Sequence, residues 1–147
     1  MSEQNKAVSK RIIEEVFNQG KLQLIEELVA ANAVVNDPSS PGGKITGHAG
    51  LRQYVEMYRA AFPDLHFTIN DQFADADKVA TRFTATGTHK GALMGIAPTG
   101  KHATVTGVTI DHYKDGKVVE VWAHGDTLGM LQQLGVVPML APAGAKA

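Results

Sequence analysis

Val105–Gly135 reads VTGVTIDHYKDGKVVEVWAHGDTLGMLQQLG, and it decides the fold. Two runs of alternating apolar and polar residues meet at Asp115-Gly116, a dipeptide that suits the two-residue type I′ turn of a β-hairpin. With that turn Lys114 faces Lys117, and counting back places Thr109 opposite Trp122, Gly107 opposite His124 and Val105 opposite Asp126. These residues, with Asp111 and Glu120, form a mixed face. Val108, Ile110, His112, Val119, Val121 and Ala123 form a largely apolar one. The mixed face is expected to line a cavity with its mouth near Asp126, and the apolar face to be covered. A β-bulge anywhere in the pair reverses the assignment beyond it.

Upstream, the period-two pattern continues. Leu65, Phe67 and Ile69 alternate with polar residues, and Lys78–His89 is a long run rich in Val, Phe and Thr, so two further strands precede the hairpin. Ahead of them the period is helical. Val8, Ile12, Ile13, Val16 and Phe17 share one face of a helix over residues 5–18, which Gly20 ends. A second short helix covers 22–30, and a short strand 33–36 enters a turn-rich loop, DPSSPGGKITG, at 37–47. A third helix at 48–61 buries Leu51, Tyr54, Val55 and Tyr58 until Pro63-Asp64 stops it. A last helix runs from Thr127 to Leu134. Helices ahead of a four-stranded antiparallel meander, closed by a short helix, make an α+β layout. One domain over residues 1–136 and a flexible tail over 137–147 are expected.

Composition narrows the function. The 147 residues are 44% hydrophobic and 20% charged, an ordinary globular mixture. A net charge of -1 gives no electrostatic pull toward nucleic acid or an anionic membrane, and no apolar run approaches a membrane span. The N-terminus lacks the apolar core of a signal peptide, so a cytoplasmic location is expected. There is no cysteine, which removes disulfides and thiolate chemistry. The six His lie on separate elements without helical i, i+4 spacing, and no metal site is expected.

Chemistry concentrates at the end of the Trp122 strand. Asp126 stands immediately before a helix, where it is either a proton-transfer group at a cavity mouth or an N-cap worth about 0.5–2 kcal/mol. Trp122 is a candidate substrate platform or a core residue. His124 and His89 are candidates for the pocket wall. Thr109 and Tyr54 join the candidate substrate contacts. Asp37 offers a polar group at the mouth or an Asx-turn. Arg82 offers an anion clamp if it points inward.

Several pieces carry a family resemblance. They are Ala61-Phe62-Pro63-Asp64-Leu65, Gly87-Thr88-His89 followed by Gly91, Pro98-Thr99-Gly100-Lys101, and Asp115-Gly116-Lys117 running to Trp122, then Asp126 and the helix ending Gln133-Leu134-Gly135. Over residues 5–136 the chain resembles the SnoaL-like polyketide and ester cyclases, within the nuclear transport factor 2-like superfamily. The resemblance implies a cone, with a curved antiparallel sheet wrapped around the N-terminal helices and an internal pocket for a small hydrophobic molecule. It implies a cofactor-free intramolecular aldol closure with an Asp as general acid/base, at the position of Asp126, and a His partner for which His112, His124 and His89 are all candidates. The same fold is similar to isomerases, dehydratases and epoxide hydrolases. A non-catalytic small-molecule-binding module is the reading from a different class. A homodimer, with one sheet face meeting its copy, is expected under either.

Overall fold

The computed structural model describes residues 2–139. Helix α1 (Ser2–Arg11) continues without a break into a π-helical segment (Ile12–Asn18), followed by α2 (Leu24–Leu28). Strand β1 (Val29–Asn36), the three-residue β2 (Lys44–Thr46) and α3 (Gly47–Ala61) come next. Strands β3 (His66–Asp75), β4 (Lys78–Thr88), β5 (His102–Lys114) and β6 (Lys117–Gly125) then lead to α4 (Thr127–Gln133). The expected tail lies, from residue 140 onward, outside the described residues. Among the described residues no helix is long and apolar enough to cross a membrane.

The sheet is larger than the four-stranded meander expected from the sequence. Six strands run in the order β2-β1-β6-β5-β4-β3, and β1 lies parallel to β6. The difference comes from Val29–Asn36, a full strand rather than the four residues expected, and from Lys44–Thr46, which pairs with it inside what reads as a loop. Val29, Ala33 and Val35 of β1 join Leu51 and Val55 of α3 in one buried core cluster.

Helix placement follows from specific locks. The Asn18 side chain both accepts from Phe67 N (2.7 Å) and donates to Phe67 O (3.0 Å), pinning β3 to the end of the π-helical segment. Arg59 of α3 donates to the carbonyls of Phe17 (2.7 Å) and Asn18 (2.9 Å), which satisfies acceptors that a helix terminus leaves open. One core cluster, around Val16, Ile25, Leu28 and Val55, fills the space between helices and sheet. A second, around Phe62, Leu93, Met130 and Leu134, seats α4.

The β5–β6 hairpin has the expected turn and an unexpected bulge. Asp115 and Gly116 both take positive φ (52° and 79°), as a type I′ turn demands. Lys114 pairs with Lys117 and Tyr113 with Val118. An irregularity then inserts Val119, and beyond it Ile110 pairs with Trp122, Thr109 with Ala123 and Val108 with His124. That single residue exchanges the two faces of β6. The concave face carries Val105, Thr109, Asp111, Val121 and Ala123, while Val108, Ile110, His112, Glu120, Trp122 and His124 fall on the convex face.

Candidate active site

A cavity of about 190 Å³ lies between the concave sheet face and the helices. Its walls are mainly aliphatic and aromatic, contributed by Ile12, Phe17, Leu51, Phe67 and Phe83 among others. No lysine or arginine lines it among the described residues, and the only two carboxylates that do are Asp37 and Asp111.

Asp111 occupies the buried end. It is 7% exposed and projects from β5 in the sheet row of Val121 and Val79. Ser9, on the inward face of α1 and 1% exposed, donates its hydroxyl to Asp111 Oδ2 at 2.6 Å. The same hydroxyl is hydrogen-bonded to the Tyr113 phenol. Loss of hydration in this apolar setting pushes the Asp111 carboxyl up to about 6, and the Ser9 hydrogen bond only partly offsets that. Burial likewise raises the Tyr113 phenol above its ordinary value.

Asp37 forms the second polar patch, just past the end of β1. It is 5% exposed and accepts Tyr54 Oη at 2.7 Å, Ser39 N at 3.0 Å and Ser39 Oγ at 2.6 Å. The Ser39 N contact is the Asx-turn expected at this position, so Asp37 serves the turn and borders the cavity together. Desolvation carries the Tyr54 phenol far above its usual range and that of Tyr58 up to about 12. Both stay protonated donors at neutral pH.

The remaining sequence candidates divide sharply. Thr109, Tyr54 and Asp37 line the cavity, and His124 borders its rim as an exposed residue. Trp122 does not reach it: the bulge at Val119 turns it to the convex face, 44% exposed. Arg82 is exposed beside Asp71 and Val108 on that same face, so it cannot clamp an anion in the cavity. His112 pairs with Lys78 and Glu120, also on the convex side. His89 is fully buried away from the cavity, with its ring beside Phe62 and its Nδ1 accepting from Thr99 N at 3.2 Å. Asp126 is exposed and outside the cavity wall, although its neighbours Gly125 and Thr127 are part of it. Its carboxylate accepts Gly129 N at 2.9 Å and caps α4.

Sequence reasoning placed Asp111 on the right face without weighing it, and missed Ser9. A carboxylate in mid-strand between Ile110 and Tyr113 is the signal that was available, because a charge there must either face water or be buried at a cost. Asp126→Ala is expected to destabilise the protein by about 0.5–2 kcal/mol through the lost cap. Asp126→Asn, which keeps the cap, should leave the unfolding midpoint nearly unmoved in a urea titration.

Three of the pieces that carry the family resemblance, at 61–65, 87–91 and 98–101, form a clasp. Asp64 accepts Thr88 N (2.7 Å) and Thr88 Oγ1 (2.8 Å), Lys90 N and Gly91 N donate to Ala61 O, and Gly100 N donates to His89 O. This ties the C-terminus of α3 to the β4–β5 connection and so holds one end of the cavity wall. His89 belongs to the clasp.

Helices inside a curved sheet, around an apolar cavity with two buried carboxyls, define a cone-fold protein. The chain belongs to the SnoaL-like polyketide cyclase family, whose sequence model matches residues 7–134. Among solved structures it is similar to IdmH, a proposed polyketide cyclase from Streptomyces antibioticus, at 34% identity over 90% of this chain and 99% of that one, with a TM-score of 0.78. A proposed polyketide cyclase from Acidithiobacillus ferrooxidans is 31% identical over 90% and 94% of the two chains, TM-score 0.80. AclR, a proposed hydroxylase from Streptomyces galilaeus, is 28% identical over 96% and 87%, TM-score 0.82. No curated protein matches the chain.

Proposed function

We propose that this protein closes a ring in a small hydrophobic polyketide-type ester by proton transfer, without calling on a cofactor, and that Asp111 is its general acid/base. The observation that carries the reading is the carboxyl of Asp111, buried in an apolar cavity and poised near pH 6. A group with that affinity holds enough base at neutral pH to take a proton from a carbon flanked by carbonyls, and enough acid to return it. The carboxylate removes the C–H proton, and the enolate carbon attacks a ketone carbon of the same molecule. The new alkoxide then recovers the proton from the neutral carboxyl. Ser9 fixes the orientation of the carboxyl, and the apolar walls hold the two carbons together and keep water out. The Asp37–Tyr54 pair gives the substrate a second polar anchor.

The test is turnover of small poly-β-ketone esters. Ring closure leaves the mass unchanged until water is lost, so chromatography with mass detection reads it directly. Loss of product in Asp111→Asn with retention in Asp126→Asn supports the reading, and the opposite pattern moves the chemistry to the rim. That second assignment has one observation in its favour: Gly125 and Thr127, on either side of Asp126, both border the cavity. A non-catalytic binding module would show ligand binding with no product in any variant.

We also propose a homodimer through the convex face. Phe73, Ala80, Ile110 and Trp122 pair in turn across four strands, and Phe73, Ile110 and Trp122 are 62%, 40% and 44% exposed, with Val108 at 41%. An apolar row of this extent on an open sheet suits a self-complementary two-fold contact. Sedimentation at tens of micromolar is expected to show a dimer, and Ile110→Lys to shift it to monomer. A wild-type monomer at that concentration overturns the dimer.

A further inference from the structure

The hydrogen bonds behind Asp111 lead out of the cavity. Asp111 Oδ2 is bonded to Ser9 Oγ, and Ser9 Oγ to the Tyr113 phenol. Tyr113 itself borders a second groove on the outside of the molecule, between the start of α1 (Ser2, Gln4, Asn5) and the two turns at Ala76-Asp77 and Asp115-Gly116. Tyr113 N donates to Asp77 O at 2.8 Å, which holds β5 against the β3–β4 turn there. The groove lies at the turn end of β6, whereas His124 and Thr127 border the cavity at the other end of the same strand. Nine residues of strand separate the two, roughly 30 Å at a rise of about 3.3 Å per residue.

We infer that Tyr113 and Ser9 form a proton relay that connects Asp111 to solvent at the floor of the cone, so that the acid/base group exchanges protons while a ligand fills the cavity. A serine hydroxyl has one hydrogen and two acceptor lone pairs, and a tyrosine hydroxyl is likewise donor and acceptor, so the chain runs in either direction. With Asp111 ionised, Tyr113 donates to Ser9 and Ser9 donates to the carboxylate. Once Asp111 has taken a proton from a ligand carbon, its O–H donates to Ser9 Oγ, the Ser9 hydrogen passes to Tyr113 Oη, and the phenol releases its own hydrogen to water in the groove. One proton leaves, Asp111 is again a carboxylate and Ser9 and Tyr113 stay neutral; the reverse passage re-protonates Asp111, which then donates to the new alkoxide. Burial keeps the Tyr113 phenol from standing as an anion, so the transfer through it is concerted.

Few other charges bear on this route. Val79 and Val121 flank Asp111 in the sheet, and α1 presents the neutral Ser9. Among the described residues, the carboxylates bordering the outer groove are those of Asp77 and Asp115. Two carboxylates at the exit attract a proton leaving Tyr113, and they also attract one entering.

The inference rests on Asp111 being the acid/base group, and its test does not need turnover. Because the chain has no cysteine, Thr127→Cys gives a unique attachment point at the rim, and a pyrene maleimide coupled there plugs the cavity. After transfer to D2O at pH 5, the infrared carboxyl band that vanishes in Asp111→Asn reports how fast Asp111 exchanges its proton. In the plugged protein Tyr113→Phe, and separately Ser9→Ala, are expected to slow that exchange tenfold or more. Equal rates in plugged wild type and both variants overturn the relay, as does a plug that by itself stops exchange in the wild type. If Tyr113→Phe fails to fold, Ser9→Ala alone decides. Retained turnover in Asp111→Asn would instead remove the catalytic reading while leaving the exchange result standing.

Discussion

Asp111→Asn is expected to lower turnover about 10²–10⁴-fold, the range that a positioned acid/base group contributes, while making the folded protein more stable above pH 6. The two effects share one cause. Burial raises the carboxyl from its ordinary 3.8 to about 6, so the folded chain binds this proton more tightly than the unfolded chain does. The contribution of this group to stability is then greatest below about pH 3.8 and is lost as pH rises toward and through 6, the reverse of a salt-bridged carboxylate. Two pH units correspond to about 3 kcal/mol, the order of what ionised Asp111 costs the fold at pH 7. Asn has nearly the same shape and no charge, and its amide oxygen still accepts the Ser9 hydroxyl, so that cost disappears. Urea titrations of both proteins at pH 5 and pH 8 should show the difference in midpoint widening at the higher pH. A variant as active as wild type, or one less stable at pH 8, contradicts the assignment.

A residue kept at such a cost differs in kind from Asp126, whose carboxylate stabilises a helix end in water. From the sequence the two were hard to rank, because Asp126 stands at a strand–helix junction that draws attention and Asp111 sits inside a regular alternation. The α+β layout was legible in the residue pattern, and the cone only through the family resemblance. Period two from Leu65 onward, period 3.6 before it and the Asp115-Gly116 turn all constrain the chain locally, and local agreement specifies elements well. Long-range pairing is less so: nothing in VAANAVVN announces a parallel partner ninety residues away, and KIT is too short for any period to show. The Val119 bulge was illegible for a sharper reason. Side chains alternate with a period of two, so one inserted residue reverses Trp122, His124 and every neighbour beyond it, and no composition rule places that residue. Ser9 was hidden by its type, since a serine on the buried face of an amphipathic helix reads as a break in the stripe until its partner across the cavity is known.

Gly91→Ala is expected to cost the largest share of stability of any single methyl added to this chain. A Cβ at Gly91 would stand 2.9 Å from the carbonyl carbon of Ala60 and 3.2 Å from Ala61 Cα, with the Ala60 oxygen nearer still. All three are backbone at the C-terminus of α3, so no side chain can swing aside. Relief requires the β4–β5 connection to lift away from the helix, which breaks the bonds that Lys90 N and Gly91 N make to Ala61 O. Overpacking costs about 1–3 kcal/mol where a core repacks, and leaving the Ala61 carbonyl, the one acceptor of both bonds, buried without a partner adds about 1–3 kcal/mol. A loss of about 2–6 kcal/mol follows, a large fraction of what holds a domain of this size together. Gly125→Ala is the matched control: no heavy atom lies within 4 Å of a Cβ there, and its φ is not in the left-handed region, so its midpoint should stay within about 0.5 kcal/mol of wild type. Because Gly91 borders neither Asp111 nor the relay, Gly91→Ala assayed well below its melting temperature should keep the Asp111 pH profile. A shifted profile would mean that the clasp also sets the shape of the acid/base site.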